Sequence, residues 1–179
     1  MQVWLERTRA RWVDRDRRWA VACHRSADWP LLLVTLVLVS QLGNGPLWYV
    51  LIALLPLIGG RTGAACALQM LGVGLLNLAI YRYIKQRTCR PRPFVSCPGI
   101  RACTTALDDF SFPSGHTLHA VAFGMVLSHH YPALSLLLWS YAALVAASRV
   151  VLGLHYPSDV LAGAATGFLT ASAVLALPY

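Results

Sequence analysis

The chain has 179 residues, of which 57% are apolar and only 12% are charged, and its mean hydropathy is +0.56. Because an ordinary soluble domain carries about 25% charged residues, this composition excludes a soluble globular protein and predicts one membrane domain. Most of the positive charge behind the net +8 lies in residues 7–25 and 82–101, and this confinement argues against a solvated nucleic-acid-binding surface.

Residues 1–27 predict an amphipathic helix. At about 100° per residue, Trp4, Trp12 and Trp19 fall within about 80° of one another, and Arg fills much of the remaining surface. This pattern is typical of a helix that lies on an anionic membrane surface, although a solvated cytoplasmic tail is the alternative. We therefore expect an interfacial helix over 1–27, followed by a transmembrane domain over 28–179.

Six apolar runs follow, and each predicts a membrane-spanning helix. A span needs about 20 residues, and clusters of Gly, Pro and Asn after Leu42 and Ile58 separate the first three runs. The fold class predicted is therefore all-α, a bundle of six transmembrane helices. The expected spans are 27–43, 46–60, 63–83, 114–131, 133–153 and 157–178.

The distribution of Lys and Arg predicts how the bundle is oriented. The Arg-rich segment and Arg61 favour the cytoplasm, so six spans put both termini inside an integral cell (inner) membrane protein. The 84–113 loop and the turn around His155 then lie outside. The loop is basic on the side where the rule disfavours basic residues, and anion binding would explain this.

Three polar stretches concentrate many of the ionisable groups that remain. They are Lys85–Pro93, Phe112–His116 and Ser148–Asp159. In the six-span arrangement Lys85 ends the third helix, His116 starts the fourth, Arg149 is near the end of the fifth and Asp159 starts the sixth. Four helices therefore bring polar groups to one plane at the outer membrane face.

Arg149 follows a long uncharged run and precedes another apolar segment. A charge within the membrane costs about 2.5–3.5 kcal/mol or more unless it is paired or hydrated. A guanidinium matches the geometry of a phosphate, and Arg92 and Lys85 can also bind one from the loop side. We expect Arg149 to face the bundle interior and bind an anion; snorkelling to the interface is the alternative.

Pro113 to His116 predict the start of a helix that receives an anion. Proline suits a first helical turn, and the N–H groups that follow it point out of the helix end, where the dipole favours negative charge. Gly115 allows close approach of the backbone, and Ser114 adds a hydroxyl. His116 is then expected beside the bound anion.

Asp159 and His155 predict an oriented nucleophile. Pro157 indicates a helix start, so that Asp159 falls in the first turn and can accept a hydrogen bond from one imidazole nitrogen of His155. This bond fixes the tautomer and leaves the other nitrogen free to attack. A structural His–Asp pair is the ordinary alternative, which the nearby cations disfavour.

A metal centre and a disulfide are two further possibilities for the polar residues. Asp108 and Asp109 could join the histidines as ligands, but the surplus of Lys and Arg would repel a dication and no HExxH-type pair occurs. We therefore expect no metal and no cofactor. A Cys97–Cys103 disulfide and free thiols both remain open.

These residues resemble the three signature motifs of the type 2 phosphatidic acid phosphatase (PAP2) superfamily, complete and in the family order. The motifs are Lys85-x6-Arg92-Pro93, Pro113-Ser114-Gly115-His116 and Ser148-Arg149-x5-His155-x3-Asp159. The resemblance covers residues 85–160 directly, and the six-helix arrangement extends it over nearly the whole chain.

The resemblance implies a metal-free lipid phosphatase. His155 would be the nucleophile and form a phosphohistidine, Asp159 would orient it, and His116 would protonate the leaving oxygen. The residues implied to hold the phosphate are Lys85, Arg92, Ser114, Gly115 and Arg149.

The expected partners are a lipid phosphate substrate and the bilayer, with no nucleic acid and no obligatory protein partner. The candidate substrates are phosphatidylglycerophosphate, phosphatidic acid and undecaprenyl pyrophosphate. Bacitracin-resistance-type enzymes often carry Asp where this chain has Gly115, which favours the first two lipids. The alternative function is a non-enzymatic lipid-headgroup-binding or lipid-translocating membrane protein, which would need only the cations.

Overall fold

The computed structural model describes the backbone of residues 2–177 and the side chains of residues 10–177. Over that range the regular secondary structure is helical, with one isolated β-bridge between Pro91 and Phe110, which confirms the all-α prediction there. The helices are α1 Gln2–His24, α2 Pro30–Leu42, α3 Pro46–Thr88, α4 Pro93–Ser96, α5 Gly115–His130, α6 Ser135–Val151 and α7 Pro157–Leu175. The predicted Trp4 side chain and the predicted helix end at 178 lie outside the described residues.

Proline begins four of these helices, at Pro30, Pro46, Pro93 and Pro157. Proline suits this position because its fixed φ is helical and its missing N–H would have no partner there. The prediction for Pro157 is confirmed. Pro113 differs, because α5 begins only at Gly115, after Ser114 as N-cap.

Helix α3 consists of two arms that fold back on each other at Gly60. Gly60 has φ 54° and ψ −135° inside the helix, and a Cβ at Gly63 would collide with the carbonyl oxygen of Leu55. Eight residues of straight helix would span about 12 Å, so this contact requires a reversal. The predicted break here is confirmed, and it separates a first arm (46–59) from a second arm (61–88).

Helix α2 and the first arm of α3 run in the same direction along the bundle. Leu36 of α2 packs near Leu154, at the end where α6 meets α7, whereas Gly59 approaches Tyr131, where α5 meets α6. With 13 residues, α2 is about 20 Å long, short of the roughly 30 Å hydrocarbon core. The prediction of two separate spans is therefore wrong, because these residues together make one pass from the α6–α7 end to the α5–α6 end.

Three described helical segments are long and apolar enough to cross a membrane, and a bent pair is a fourth candidate. The three are Pro46–Thr88, Pro132–Val151 and Pro157–Leu175, and the pair is Ala10–Asp28 with Pro30–Leu42, bent by 111°. Large apolar side chains on the outer surface are exposed, among them Leu57, Leu136 and Leu161. Such a surface is compatible with contact with lipid.

Helix α1 packs on the α6–α7 end of the bundle. His24 donates from Nδ1 to a backbone carbonyl of α6 at 2.8 Å and accepts the Arg101 N–H at 3.2 Å, while Asp16 bonds Arg90 at 2.6 Å. The prediction that residues 1–27 and the 84–113 loop lie on opposite sides is therefore wrong. Since the chain makes one pass fewer than expected, α1 and the C-terminal end of α7 lie at opposite ends.

Helices α5 and α7 approach each other through glycine. A Cβ at Gly163 would lie 2.5 Å from the carbonyl oxygen of Ser114, and one at Gly167 would collide with that of Leu118. The Ser114 N–H also donates to the carbonyl oxygen of Asp159 at 3.0 Å. Small residues thus let the two backbones touch, which fixes the start of α5 against the start of α7.

Candidate active site

A cavity of about 780 Å³ opens between the two arms of α3, α5 and the α6–α7 end. Six of the eight predicted site residues line it: Lys85, Arg92, Gly115, His116, Arg149 and His155. The other two, Ser114 and Asp159, are fully buried behind its wall. Residues from three chain segments that lie far apart in sequence therefore meet at one cavity.

His155 is 1% exposed and lines the cavity, with its Nε2 3.2 Å from a guanidinium nitrogen of Arg92. Its Nδ1 lies 2.6 Å from the carbonyl oxygen of Ser111. A carbonyl can only accept, so Nδ1 carries the proton and Nε2 carries the lone pair. Burial, followed by the charges of Arg149 and Arg92, lowers the pKa of His155 well below its usual value, and the imidazole is neutral at neutral pH.

Asp159 does not bond His155 in the way that the sequence suggested. Its Oδ2 lies 3.7 Å from Nδ1, beyond hydrogen-bond distance. The carboxylate accepts the Tyr156 N–H at 2.8 Å and a guanidinium N–H of Arg90 at 2.6 Å. The carbonyl of Ser111 orients the imidazole directly, and sequence reasoning missed it because any residue type supplies a carbonyl.

Lys85 and Arg92 share one carboxylate, that of Asp108. The Lys85 Nζ lies 2.6 and 2.8 Å from its two oxygens, and Arg92 donates to it at 2.8 Å. Burial acts to raise the pKa of Asp108, but the hydrogen bonds and charges of Lys85 and Arg92 outweigh this and hold the pKa below its usual range. The Asp108 carboxylate therefore forms ion pairs with both cations. The sequence suggested Asp108 only as a metal ligand.

Arg149 is 1% exposed and retains donor capacity. One guanidinium nitrogen donates to the hydroxyl of Ser40, whereas the buried Nε has no hydrogen-bond partner among the described residues. Leaving a buried donor without a partner costs about 1–3 kcal/mol, more for a charged group. Arg149 thus faces the interior, as expected, and lines the cavity with a guanidinium that is not fully hydrogen-bonded.

His116 stands at the start of α5 with Asn44 as its partner. The two side chains approach to 2.5 Å between Nε2 and Oδ1, so Nε2 donates and Nδ1 holds the lone pair in the neutral ring. Asn44 lies in the turn before α3, where the sequence indicated only a chain break. The first N–H groups of α5 lie beside this histidine, at the helix end that favours an anion.

Away from this polar end the cavity lining is mostly apolar and extends between the arms of α3. Its lining there includes Trp48, Ile52, Met70, Leu75 and Phe123. The cavity therefore combines a cationic end with an apolar channel, which suits an amphiphile with an anionic headgroup. Among residues 10–177, no three His, Cys, Asp or Glu side chains lie close enough together to hold a metal ion.

Comparison with known proteins identifies the family to which the chain is similar. The PAP2 superfamily pattern matches residues 63–179. The PAP2-type phosphatidylglycerolphosphate phosphatase of Bacillus subtilis superposes with a TM-score of 0.71 and 26% identity, over 90% of this chain and 83% of that one. For Aquifex aeolicus LpxE the TM-score is 0.74 and the identity 25%, over 89% and 94%.

A curated relative is the lipid phosphate phosphatase delta of Arabidopsis thaliana, which is 34% identical over 104 residues. That match covers 48% of this chain and 24% of the plant protein, so the shared region is about a quarter of the relative's length. The family pattern itself extends over well more than half of the chain, from the second arm of α3 through α7. The chain belongs to the PAP2 superfamily.

Proposed function

We propose that this protein is a metal-independent membrane phosphatase that removes a phosphate group from a lipid. The observation that carries the proposal is the combined cavity: Lys85, Arg92 and Arg149 surround the neutral nucleophile His155, and an apolar channel continues from them. Fixed cations of this kind stabilise a transferring phosphoryl group electrostatically.

The reaction proceeds in two steps. The first begins with His116 protonated on both ring nitrogens. Nε2 of His155 attacks phosphorus, a P–N bond forms, the P–O bond to the lipid breaks, and the proton on Nδ1 of His116 passes to the leaving oxygen. In the second, water attacks the phosphohistidine, the P–N bond breaks, and His116 accepts the proton. Orthophosphate and a dephosphorylated lipid leave, and both histidines return to their starting states.

Three lipids are proposed as substrates: phosphatidylglycerophosphate, phosphatidic acid and undecaprenyl pyrophosphate. Their acyl or prenyl chains would occupy the channel between the arms of α3, while the terminal phosphate binds Arg149 and replaces the Asp108 carboxylate on Lys85 and Arg92. Gly115 at the start of α5 favours the two phospholipids. The similar Bacillus subtilis structure is that of a phosphatidylglycerolphosphate phosphatase.

The membrane arrangement proposed has five passes and an extracytoplasmic active site. The passes are 30–59, 61–88, 115–130, 135–151 and 157–175. Since α1 lies at the α6–α7 end with the site, this N-terminal helix is then extracytoplasmic. At the other end of the described chain, the C-terminal end of α7 is cytoplasmic. Charge alone favours the opposite orientation, but Lys85, Arg90 and Arg92 at this end are used in ion pairs.

Helix α1 is proposed to lie along the membrane surface. Trp12 and Trp19 are exposed, and the guanidinium of Arg15 lies 4.2 and 5.5 Å from the centres of their rings. Exposed tryptophans next to arginine suit the boundary between headgroups and acyl chains.

The experiment that tests this function measures phosphate release in detergent from the three lipids, each with and without EDTA. We expect release from at least one lipid, unchanged by EDTA. Loss of activity in EDTA that returns with added metal would contradict the metal-free mechanism. Absence of release from every lipid, together with tight co-purification of a lipid, would favour the alternative of headgroup binding or translocation.

A further inference from the structure

An ion network joins α1 to the active site through Asp16, Arg90 and Asp159. One nitrogen of the Arg90 guanidinium lies 2.6 Å from Asp16 Oδ2, and another lies 2.6 Å from Asp159 Oδ1. Asp16 also accepts the Ser158 backbone N–H at 3.0 Å and the Ser158 hydroxyl. Asp16 lies outside the three motifs of the sequence, and Arg90 occupies a variable position of the first.

Arg90 contacts the chain on the C-terminal side of His155 at three residues, one of which is Ser158, whose hydroxyl accepts an Arg90 N–H at 2.8 Å. Its guanidinium carbon lies 4.0 Å from the centre of the Tyr156 ring, and its N–H bonds Asp159, whose side chain is fully buried. Among the described residues, Arg90 is the one cation in an ion pair with Asp159 at 2.6 Å; His155, at 3.7 Å, is neutral. The charge of this buried carboxylate therefore depends on Arg90.

Asp16 in turn fixes Arg90. The Asp16 side chain is 11% exposed and that of Arg90 is 24% exposed, so the pair is largely shielded from water and strong. Without Asp16 the guanidinium could turn toward solvent at the rim of the loop. Asp159 would then lose the ion pair on Oδ1, and its Oδ2, which accepts the Tyr156 N–H in the turn following His155, would be held less firmly.

We infer that Asp16 of the N-terminal helix is a positioning residue for the reaction, acting through Arg90 and Asp159 on the turn that presents His155. The inference rests on the proposed phosphatase function. It gives α1 a second role besides contact with the membrane surface, because the helix closes an ion network behind the nucleophile.

The test compares Asp16→Asn with Asp14→Asn in the full-length protein. Asp14 lies on the same helix, 64% exposed and paired with Arg18 at 2.7 Å, so its substitution makes the same change in charge without touching the network. We expect Asp16→Asn to lower kcat at least tenfold while KM and the inhibition constant of orthophosphate stay within twofold. Asp14→Asn should match the wild type.

A conservative variant at Arg90 gives an independent test. Arg90→Lys keeps the charge, but a single ammonium cannot reproduce the fork that bonds Asp16 and Asp159 together, so kcat should fall as in Asp16→Asn. Asp16→Glu, which retains the carboxylate, should recover part of the lost kcat.

Two results would overturn the inference. One is wild-type kcat in Asp16→Asn or in Arg90→Lys. The other is a loss in which kcat, the affinity for orthophosphate and the unfolding temperature fall together, because this would indicate a purely structural role. Failure of the wild type itself to release phosphate would instead refute the proposed function, so the two failures are distinguishable.

Discussion

His155 is kept neutral by its burial and by the cations that surround the cavity. Burial, Arg149 and Arg92 all oppose its protonation, so the free imidazole persists below the usual His pKa of about 6.5. Between the lowered pKa and about 6.5 the unfolded chain binds more protons than the folded protein, and folding stability therefore declines as the pH falls below about 6.5. The charges proposed to bind phosphate thus also help to keep the proposed nucleophile unprotonated.

Removing the Arg149 charge should raise the pKa of His155. In Arg149→Gln we expect a much lower kcat/KM, and we expect its acid limb to move to higher pH than in the wild type, because kcat/KM reports the pKa values of the free enzyme. Substrate ionisation is common to both proteins, so the difference between the two pH profiles isolates the protein group. Identical acid limbs in the two proteins would contradict the assignment of the lowered His155 pKa in part to the charge of Arg149.

Asp108 should compete with phosphate for Lys85 and Arg92. We expect Asp108→Asn to strengthen product inhibition by orthophosphate about tenfold, because a carboxylate that bonds the same cations no longer has to be displaced. Asp109→Asn removes an equal charge from the neighbouring residue and should have little effect. An unchanged inhibition constant in Asp108→Asn would show that phosphate does not displace this carboxylate.

The sequence predicted the residues that act through side-chain type and missed those that act through position. Arg149 and His155 were predictable because an isolated charge in an apolar run and a His before a helix start are both unusual. Ser111 acts through its carbonyl, and Asn44 and Arg90 acquire their roles only from contacts across the fold. No spacing along one chain encodes such contacts.

At the scale of elements, the glycine contact between α5 and α7 sets the distance between the two histidines. Gly163→Ala should cost about 1–3 kcal/mol of stability and lower kcat, because the new Cβ would meet the backbone oxygen of Ser114. The helices would have to separate and move His116 away from His155. Thermal unfolding and steady-state kinetics in detergent measure both effects.

Gly72 provides the matched control. It lies in the second arm of α3, and a Cβ there meets nothing within 4 Å, so Gly72→Ala should keep wild-type activity and gain slightly in helix stability. Equal behaviour of the two alanine variants would contradict the role assigned to close packing.

Helix existence was predictable from apolar runs and prolines, but helix direction was not. The break at Gly60 produces a reversal, whereas the break at residues 43–45 continues the pass. Both breaks consist of Gly with polar or Pro neighbours and look alike in sequence. The packing of α2 against the α6–α7 end distinguishes them, and this difference changes the count of passes.

At the scale of the whole molecule, the N-terminal helix and the active site share one end. Cys23 on α1 and Cys89 beside the site loop are both exposed free thiols. We expect a membrane-impermeant maleimide, applied to intact cells, to label both or neither of two variants that keep only Cys23 or only Cys89. A variant whose single cysteine is introduced by Arg61→Cys, at the opposite end, should give the opposite result. Labelling of only one of the two native thiols would contradict the shared end.

The central claim is that His155 takes the phosphoryl group from the lipid, and rapid quenching of turnover with a 32P-labelled lipid phosphate tests it most directly. We predict label on the protein that is stable in base and labile in acid, and that is lost together with all turnover in His155→Ala. Wild-type phosphate release by His155→Ala would contradict the claim.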